Sequence, residues 1–208
     1  SVFPEPLEPN GAHVGQVRLK VVAGGNTQVD GVDLEVRGGE ILGLAGLQGS
    51  GRTEIAQALF GVERFTRGEV YVDGRRVNPR SPRSAVRAGV VLVTEDRKAQ
   101  GLALNQSVLA NGRLALDAIH PFGSARRARR LPGIFSSLEL VARGGHDQEV
   151  RFLSGGNQQK VVLAKWLAAE PGVMILDEPT RGIDVGAKQA VYRLMRELAA
   201  AGVALVLI

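Results

Sequence analysis

The chain has 208 residues, of which 44% are hydrophobic and 23% are charged. This balance is that of a folded globular domain with a full core, and it excludes a chain that is disordered throughout. The sequence contains no cysteine, which excludes disulfide bonds and thiolate metal sites. The net charge of +5 is spread along the chain and aromatic residues make up only 4%, so no nucleic acid is expected as a partner.

The first half of the chain predicts a linker followed by a β-rich layer. Residues 1–16 contain three prolines and no apolar period, which is typical of a linker that enters from an upstream domain. From Val17 onward, short apolar runs predict strands, and Asp73-Gly74 predicts the turn of a hairpin. The predicted strands cover residues 17–22, 32–36 and 40–45, and the predicted hairpin covers residues 69–77.

The second half of the chain predicts helices that alternate with buried strands. Its predicted elements are a strand at 90–93, a helical segment at 101–151, a helix from 155, a strand at 173–176, a helix at 185–201 and a strand at 203–208. Apolar strands that alternate with helices form a parallel sheet covered on both faces. Because the strand that ends at Ile208 would lie inside such a sheet, we expect that a C-terminal piece is missing.

A glycine-rich segment between a predicted strand and a predicted helix is the strongest local signal. Such a loop wraps a polyphosphate because its backbone N–H groups converge on the phosphates and the following helix adds the positive end of its dipole. The loop consists of Gly46, Leu47, Gln48, Gly49, Ser50, Gly51, Arg52 and Thr53. Thr53 is placed to put its hydroxyl on Mg²⁺. For this segment on its own, a glycine-rich turn without a ligand stays open as the alternative.

Arg52 departs from the usual pattern of a phosphate-binding loop, which has lysine at this position. Arginine keeps the positive charge, but its guanidinium is a wide planar fork and not a compact ammonium group. We therefore do not expect the side chain to reach the β- and γ-phosphates in the same way. The substitution predicts that nucleotide binding survives while hydrolysis at this loop is weakened.

Two carboxylates follow the apolar strand predicted at 173–176. Asp177 and Glu178 would lie at the carboxyl edge of the parallel sheet, where nucleotides bind in such folds. Because neighbouring residues of a strand face opposite ways, the two carboxylates are assigned different tasks. We predict that Asp177 holds Mg²⁺ through water. Glu178 is the candidate catalytic residue, which polarises the water that attacks the γ-phosphate.

A third motif, LSGGNQQK, begins at Leu153 and runs straight into a predicted helix. Ser154 is a good N-cap, and Gly155 and Gly156 leave the first amides of that helix open to an anion. A capped helix that follows a loop is the plain alternative. In its order and spacing relative to the LDEP strand end, the motif resembles the signature of ABC ATPases.

The resemblance implies a P-loop NTPase fold of the ABC type, with a β-rich N-terminal layer, a mixed or parallel core sheet and an inserted helical subdomain. The ATPase domain would cover residues 17–208 and the helical subdomain about 101–151, which corresponds to the part that docks on a membrane permease. ATP and Mg²⁺ are the implied ligands.

In this family two ATPase halves pack head to tail, and each signature acts on the ATP that the other half holds. The resemblance therefore implies that four residues act on a partner's nucleotide: Ser154, Gly155, Gly156 and Asn157. Asp184 matches the loop that runs between the halves, and a helix N-cap is the alternative reading of this residue.

Three further segments are similar to the second, C-terminal ATPase half of bacterial importers of the ribose, galactose and xylose type. They are TEDRK at 94–98, GNQQK at 156–160 and DEPTRGIDVGAK at 177–188. An arginine in the phosphate loop, as at Arg52, is familiar in that half. Glu95 stands where most ABC ATPases have a glutamine that touches Mg²⁺. It is a candidate metal ligand, although it lacks the amide donor of glutamine.

The resemblance also implies partners and a location. The partners are a first ATPase half in tandem, the permease subunits and, indirectly, a periplasmic sugar-binding protein. The location is peripheral, at the cytoplasmic face of the bacterial plasma membrane. Hydrolysis would take place mainly at the site that combines the phosphate loop of the other half with Ser154 to Asn157 of this chain, and it would drive import of a monosaccharide.

Two other classes of function stay open. A soluble ABC ATPase without a permease, serving translation or DNA repair, usually has lysine in the phosphate loop and long coiled insertions, and this sequence has neither. A nucleotide-dependent regulatory or scaffold module without turnover is kept open by Arg52.

Overall fold

The computed structural model describes residues 15–120 and 122–208. Within these residues the chain forms two four-stranded sheets with α-helices packed against them. The linker predicted at 1–16 lies outside the described residues except for its last two. The bounds of the domain, predicted at 17–208, stay a prediction.

The first sheet is antiparallel and is built from the N-terminal part of the chain. Its strands, in spatial order, are β2 (Val32–Arg37), β1 (Val17–Gly25), β4 (Arg67–Val72) and β5 (Arg75–Val77). Asp73 and Gly74 both have positive φ, 50° and 72°, as a tight two-residue turn between β4 and β5 requires. The β-rich N-terminal layer and the hairpin are therefore confirmed.

The second sheet is parallel. Its strands, in spatial order, are β3 (Ile41–Gly43), β8 (Ala204–Leu207), β7 (Val173–Leu176) and β6 (Val90–Val93). Every residue of β6 and β7 is buried, as expected for strands covered on both faces. The parallel sheet is confirmed, and β8 lies in its interior as predicted. The strand predicted at 40–45 is shorter in the structure, because the chain leaves β3 after Gly43 and enters the glycine-rich loop.

Helices pack on this sheet and share one continuous apolar core with both sheets. The helices that contact β6 are α1 (Arg52–Phe60), α2 (Pro82–Arg87) and α6 (Gly155–Leu167), and the helix that contacts β8 is α7 (Val185–Ala200). Three more helices lie within residues 101–151, as their pattern predicts: α3 (Val108–Ile119), α4 (Ser124–Ala128) and α5 (Leu131–Ser137). Among the described helices, none combines the length and the apolar character needed to cross a bilayer.

A single π-helical turn, Arg97–Gly101, connects β6 to the helical segment. Its start is fixed by the Asp96 carboxylate, which accepts hydrogen bonds from the amides of Lys98 and Ala99 at 3.0 and 3.1 Å. Its end is fixed by Lys165 of α6, whose Nζ donates to the Gly101 carbonyl at 2.7 Å. Lys165 is only 6% exposed, and this burial lowers its pKa to about 8. The turn is thus anchored to α6.

Candidate functional site

The predicted nucleotide-binding and acidic residues meet in one cleft at the carboxyl edge of the parallel sheet. The glycine-rich loop follows β3 at this edge, and the acidic pair follows β7 at the same edge. In the sheet, β8 lies between these two strands. The cleft has a volume of about 510 Å³. Its lining residues are Gln48, Gly49, Ser50, Gly51, Arg52, Thr53, Glu54, Glu95, Asp177, Glu178, Arg181 and Ile208.

The conformation of the loop requires glycine at defined positions. Gly49 and Gly51 have φ of 81° and 89°, a region of backbone conformation that residues other than glycine rarely adopt. A Cβ atom on Gly46 would lie only 2.5 Å from the Ser50 hydroxyl oxygen. Gly51 is also the N-cap of α1 and has no side chain to bond the first amides of the helix. These amides and the positive end of the helix dipole therefore face the cleft as a site for an anion.

Arg52 is turned back onto its own loop. Its Nη2 atom donates a hydrogen bond to the Leu47 carbonyl at 3.3 Å. Arg52 lines the cleft, but one donor of its guanidinium is already engaged by the backbone. The weakened hydrolysis predicted for this loop stays a prediction.

Asp177 is the buried acid of the pair, with 4% of its surface exposed. Burial raises its pKa, and the neighbouring Glu178 carboxylate adds to the rise. The nearby Thr53 hydroxyl and the charge of Arg52 act in the opposite direction and lower the pKa. The first residue of the acidic pair and the last residue of the glycine-rich loop therefore lie near each other in the cleft.

Glu178 is the exposed acid of the pair and has an unusual backbone. Its φ is 42°, which is rare for a residue with a side chain, and its amide donates to the Ile208 carbonyl at 3.1 Å. The two acids were expected to face opposite ways because they would continue a strand. This reasoning was wrong, because β7 ends at Leu176 and both acids line the same cleft. They share this cleft and differ in burial.

Glu95, the candidate metal ligand, lies in the cleft but is paired with Arg181. Nη1 of the same arginine lies 3.9 Å from a carboxylate oxygen of Glu178. Arg181 therefore stands between two acids of the cleft as a second guanidinium beside Arg52. Sequence reasoning missed it, although the arginine that follows the DEPT run was a visible signal.

The donor set fits Mg²⁺ held jointly with phosphates. Among the described residues, no group of three or more His, Cys, Asp or Glu side chains could hold a metal by itself. Mg²⁺ usually uses one or two carboxylates and completes its shell with waters and substrate phosphates. The Asp177 carboxylate and the Thr53 hydroxyl, whose residues both line the cleft, would supply the protein oxygens that such a site needs.

The residues of the LSGG motif lie outside this cleft. Ser154 is the N-cap of α6, and its hydroxyl oxygen accepts hydrogen bonds from the amide and the side-chain amide of Asn157 at 3.4 and 3.1 Å. A Cβ on Gly156 would lie 3.0 Å from the Cβ of Ala187, so this glycine allows α6 to approach α7. The helix cap predicted at Ser154 is confirmed, and the action of the motif on a partner's nucleotide stays a prediction.

Asp184 is the N-cap of α7. Its carboxylate accepts a hydrogen bond from the Ala187 amide at 2.9 Å, which confirms the alternative reading from the sequence. Its role between two ATPase halves stays a prediction.

Comparison with known proteins agrees with this geometry. The sequence profile of the family described as ABC transporter matches residues 29–181. The chain is 48% identical over 182 residues to the ribose import ATP-binding protein RbsA of Geobacillus kaustophilus. This match covers 86% of this chain and 37% of that protein. It is 50% identical over 207 residues to the ribose import ATP-binding protein RbsA 2 of Rubrobacter xylanophilus, which covers 98% of this chain and 39% of that protein. The chain thus spans less than two fifths of the length of these relatives.

Solved structures share the fold. An ATP-binding cassette of an ABC transporter in its ADP conformation matches with a TM-score of 0.74 at 21% identity, over 93% of this chain and 81% of that chain. An ATP-binding subunit of an ABC transporter matches with a TM-score of 0.74 at 26% identity, over 91% of this chain and 78% of that chain. Because the profile matches well over half of the chain and the relatives match nearly all of it, the chain belongs to the ABC transporter family.

Proposed function

We propose that this chain binds ATP with Mg²⁺ in the cleft described above and is part of the ATP-hydrolysing subunit of a monosaccharide importer. The observation that carries the proposal is the convergence of an open helix N-terminus, a glycine-rich loop and two acids at one sheet edge. Each of these features suits a magnesium-bound polyphosphate.

Different residues of the cleft have different roles in this proposal. The loop from Gly46 to Thr53 cradles the phosphates with its backbone amides. Thr53 and Asp177 hold Mg²⁺, which when bound neutralises charge on the phosphate oxygens. Glu178 orients and polarises the attacking water, a task that suits the more exposed of the two acids. Glu95 contributes to the metal site only if Arg181 releases it.

The N-terminus of α6 serves a second site, built with another ATPase half that precedes this domain in tandem. Ser154, Gly155, Gly156 and Asn157 lie outside the cleft of their own chain, which supports action on a nucleotide held elsewhere. Arg52 makes the cleft of this chain the weaker hydrolyser, and the composite site at α6 the stronger one.

The further partners are the permease subunits, which receive the helical segment, and a periplasmic sugar-binding protein that delivers the sugar to them. The support is the function in the names of the relatives, ribose import, at 48% and 50% identity. The subunit would work peripherally at the cytoplasmic face of the plasma membrane, and nucleic acid is no part of the reaction.

The full-length protein provides the test of this import function. We expect it to co-purify with a polytopic permease and to support ATP-dependent uptake of a monosaccharide into vesicles. Recovery with ribosomes or DNA-repair factors, with no permease and no uptake, would instead establish a soluble ABC ATPase.

A second candidate, a regulatory module that binds nucleotide without turnover at this cleft, is favoured by the contact of Arg52 with the Leu47 carbonyl. Glu178→Gln in the full-length protein separates the two, with Glu197→Gln on the exposed side of α7 as the matched control. We expect Glu178→Gln to lower steady-state ATP hydrolysis in part and to leave ATP binding intact. Unchanged hydrolysis would show that this cleft only binds nucleotide.

A further inference from the structure

Two arginines connect the loop after β6 with the loop after β7. Arg97 belongs to the first of these loops and Arg181 to the second. Arg97 donates from Nη1 to the Arg181 carbonyl at 2.8 Å and from Nη2 to the Gly182 carbonyl at 3.2 Å. Arg181 in turn pairs with the Glu95 carboxylate. The Arg181–Glu95 pair is exposed and contributes little by itself, whereas Arg97 uses both arms of its fork on backbone acceptors.

Arg97 lies in a turn that is hydrogen-bonded at both ends. It is the first residue of the π-helical turn that Asp96 caps and that Lys165 ties to α6. Its Nε atom is buried and has no hydrogen-bond partner among the described groups. The guanidinium is therefore partly removed from water in order to reach the two carbonyls, which is costly unless those bonds are made.

The same guanidinium touches a third element, the N-terminus of α6. A Cβ atom on Gly155 would lie 2.8 Å from the Arg97 Nη2 atom and 3.2 Å from the Gly182 carbonyl oxygen. The absence of a side chain at Gly155 thus leaves the space that Arg97 fills. One side chain packs against the start of α6 and bonds the loop that carries Glu178 and Asp184.

We propose that Arg97 is a positioning residue that holds the loop at 178–184 and the N-terminus of α6 in a fixed relation. Through this contact, a shift of the loop when nucleotide enters the cleft is passed to Ser154 and Gly155. The inference rests on the proposed function only in its second half, because the hydrogen bonds of Arg97 are made between groups of this chain. Lysine cannot replace Arg97, because a single ammonium group lacks the planar fork that bonds two carbonyls at once.

Hydrogen exchange of the full-length protein tests the proposal, with Arg97→Ala and Arg97→Lys as variants. Lys98→Ala is the matched control, because Lys98 is the next residue of the same turn and its side chain is exposed. In the absence of nucleotide, both Arg97 variants should raise exchange by roughly tenfold in peptides that cover 178–188 and 154–158. Peptides that cover β6 and β7 should stay unchanged, and so should the melting temperature relative to the control.

A second measurement uses a non-hydrolysable ATP analogue with Mg²⁺. In the unmodified protein the analogue should protect both segments, and in Arg97→Ala it should protect 178–188 alone. Failure of the unmodified protein to bind the analogue would overturn the proposed function, while the nucleotide-free comparison would still decide on the contact. Unchanged exchange in Arg97→Ala, a uniform rise over the whole domain, or full recovery in Arg97→Lys would each overturn the role given to Arg97.

Discussion

Gly155→Val should lower ATP hydrolysis at the site built on the start of α6 by at least about 100-fold, the effect of blocking preorganised donors at a charge-stabilising site. The full-length protein should then retain only the weaker hydrolysis of the cleft of this chain. The valine would cover the open amides at the start of α6 and would also displace the Arg97 guanidinium, whose Nη2 lies 2.8 Å from the place of the new Cβ. ATP binding to the cleft of this chain should change little, since Gly155 does not line it. Steady-state hydrolysis and equilibrium binding of a fluorescent ATP analogue measure the two effects.

Gly133→Val is the matched control for this prediction. Gly133 lies in α5, and a Cβ atom there meets nothing within 4 Å, so the same substitution tests only the cost of valine in a helix. The control should hydrolyse ATP normally. Hydrolysis in Gly155→Val at the level of the unmodified protein would contradict the second site at the start of α6.

Asp177→Asn should weaken Mg²⁺-dependent ATP binding by about 10- to 100-fold, as expected when a group that orients the metal through water is lost. The same change should stabilise the nucleotide-free protein by about 1 kcal/mol, because it removes a charge from a buried position that disfavours it. Isothermal titration with and without Mg²⁺ measures the first effect, and thermal unfolding measures the second.

The stabilisation by Asp177→Asn should depend on pH in a defined direction. Burial raises the pKa of Asp177 in the folded state above the ordinary value of 3.8, so the cost of its charge is present at neutral pH. That cost disappears as the pH falls below 3.8, where the carboxyl is neutral in both states. The difference between the two proteins should therefore shrink on acidification. A variant that loses stability at pH 7, or that binds Mg²⁺ and ATP normally, would contradict the assignment of Asp177.

The fold was predictable wherever an element carries its own signal. The strands at 90–93 and 173–176 are continuous apolar runs in which every residue is buried, so sequence and structure agree on their limits. The strand before the glycine-rich loop was overestimated because its apolar run continues to Ala45. The chain leaves the strand at Gly43, and a single glycine within an apolar run does not decide whether the strand ends there or continues.

The site was predictable as far as its motifs are local. The loop from Gly46 to Thr53 and the pair Asp177 and Glu178 could be placed at one edge because each follows a strand of the same sheet. The arginine contacts could not be predicted, because Arg97 bonds carbonyls that lie 84 and 85 positions along the chain. For the same reason the sequence indicated Glu95 as a metal ligand and did not reveal its pairing with Arg181.

The residues at positions 155 and 97 limit each other's size. A glycine in a helix normally costs about 1 kcal/mol relative to alanine, so one expects substitution there to be favourable. Here the missing side chain is the space that holds the guanidinium of another residue. A side chain at position 155 would require a smaller residue at position 97, and the loop at 181–182 would then lose both hydrogen bonds. The two positions are therefore expected to covary, because a substitution at either one alone would disturb the contact.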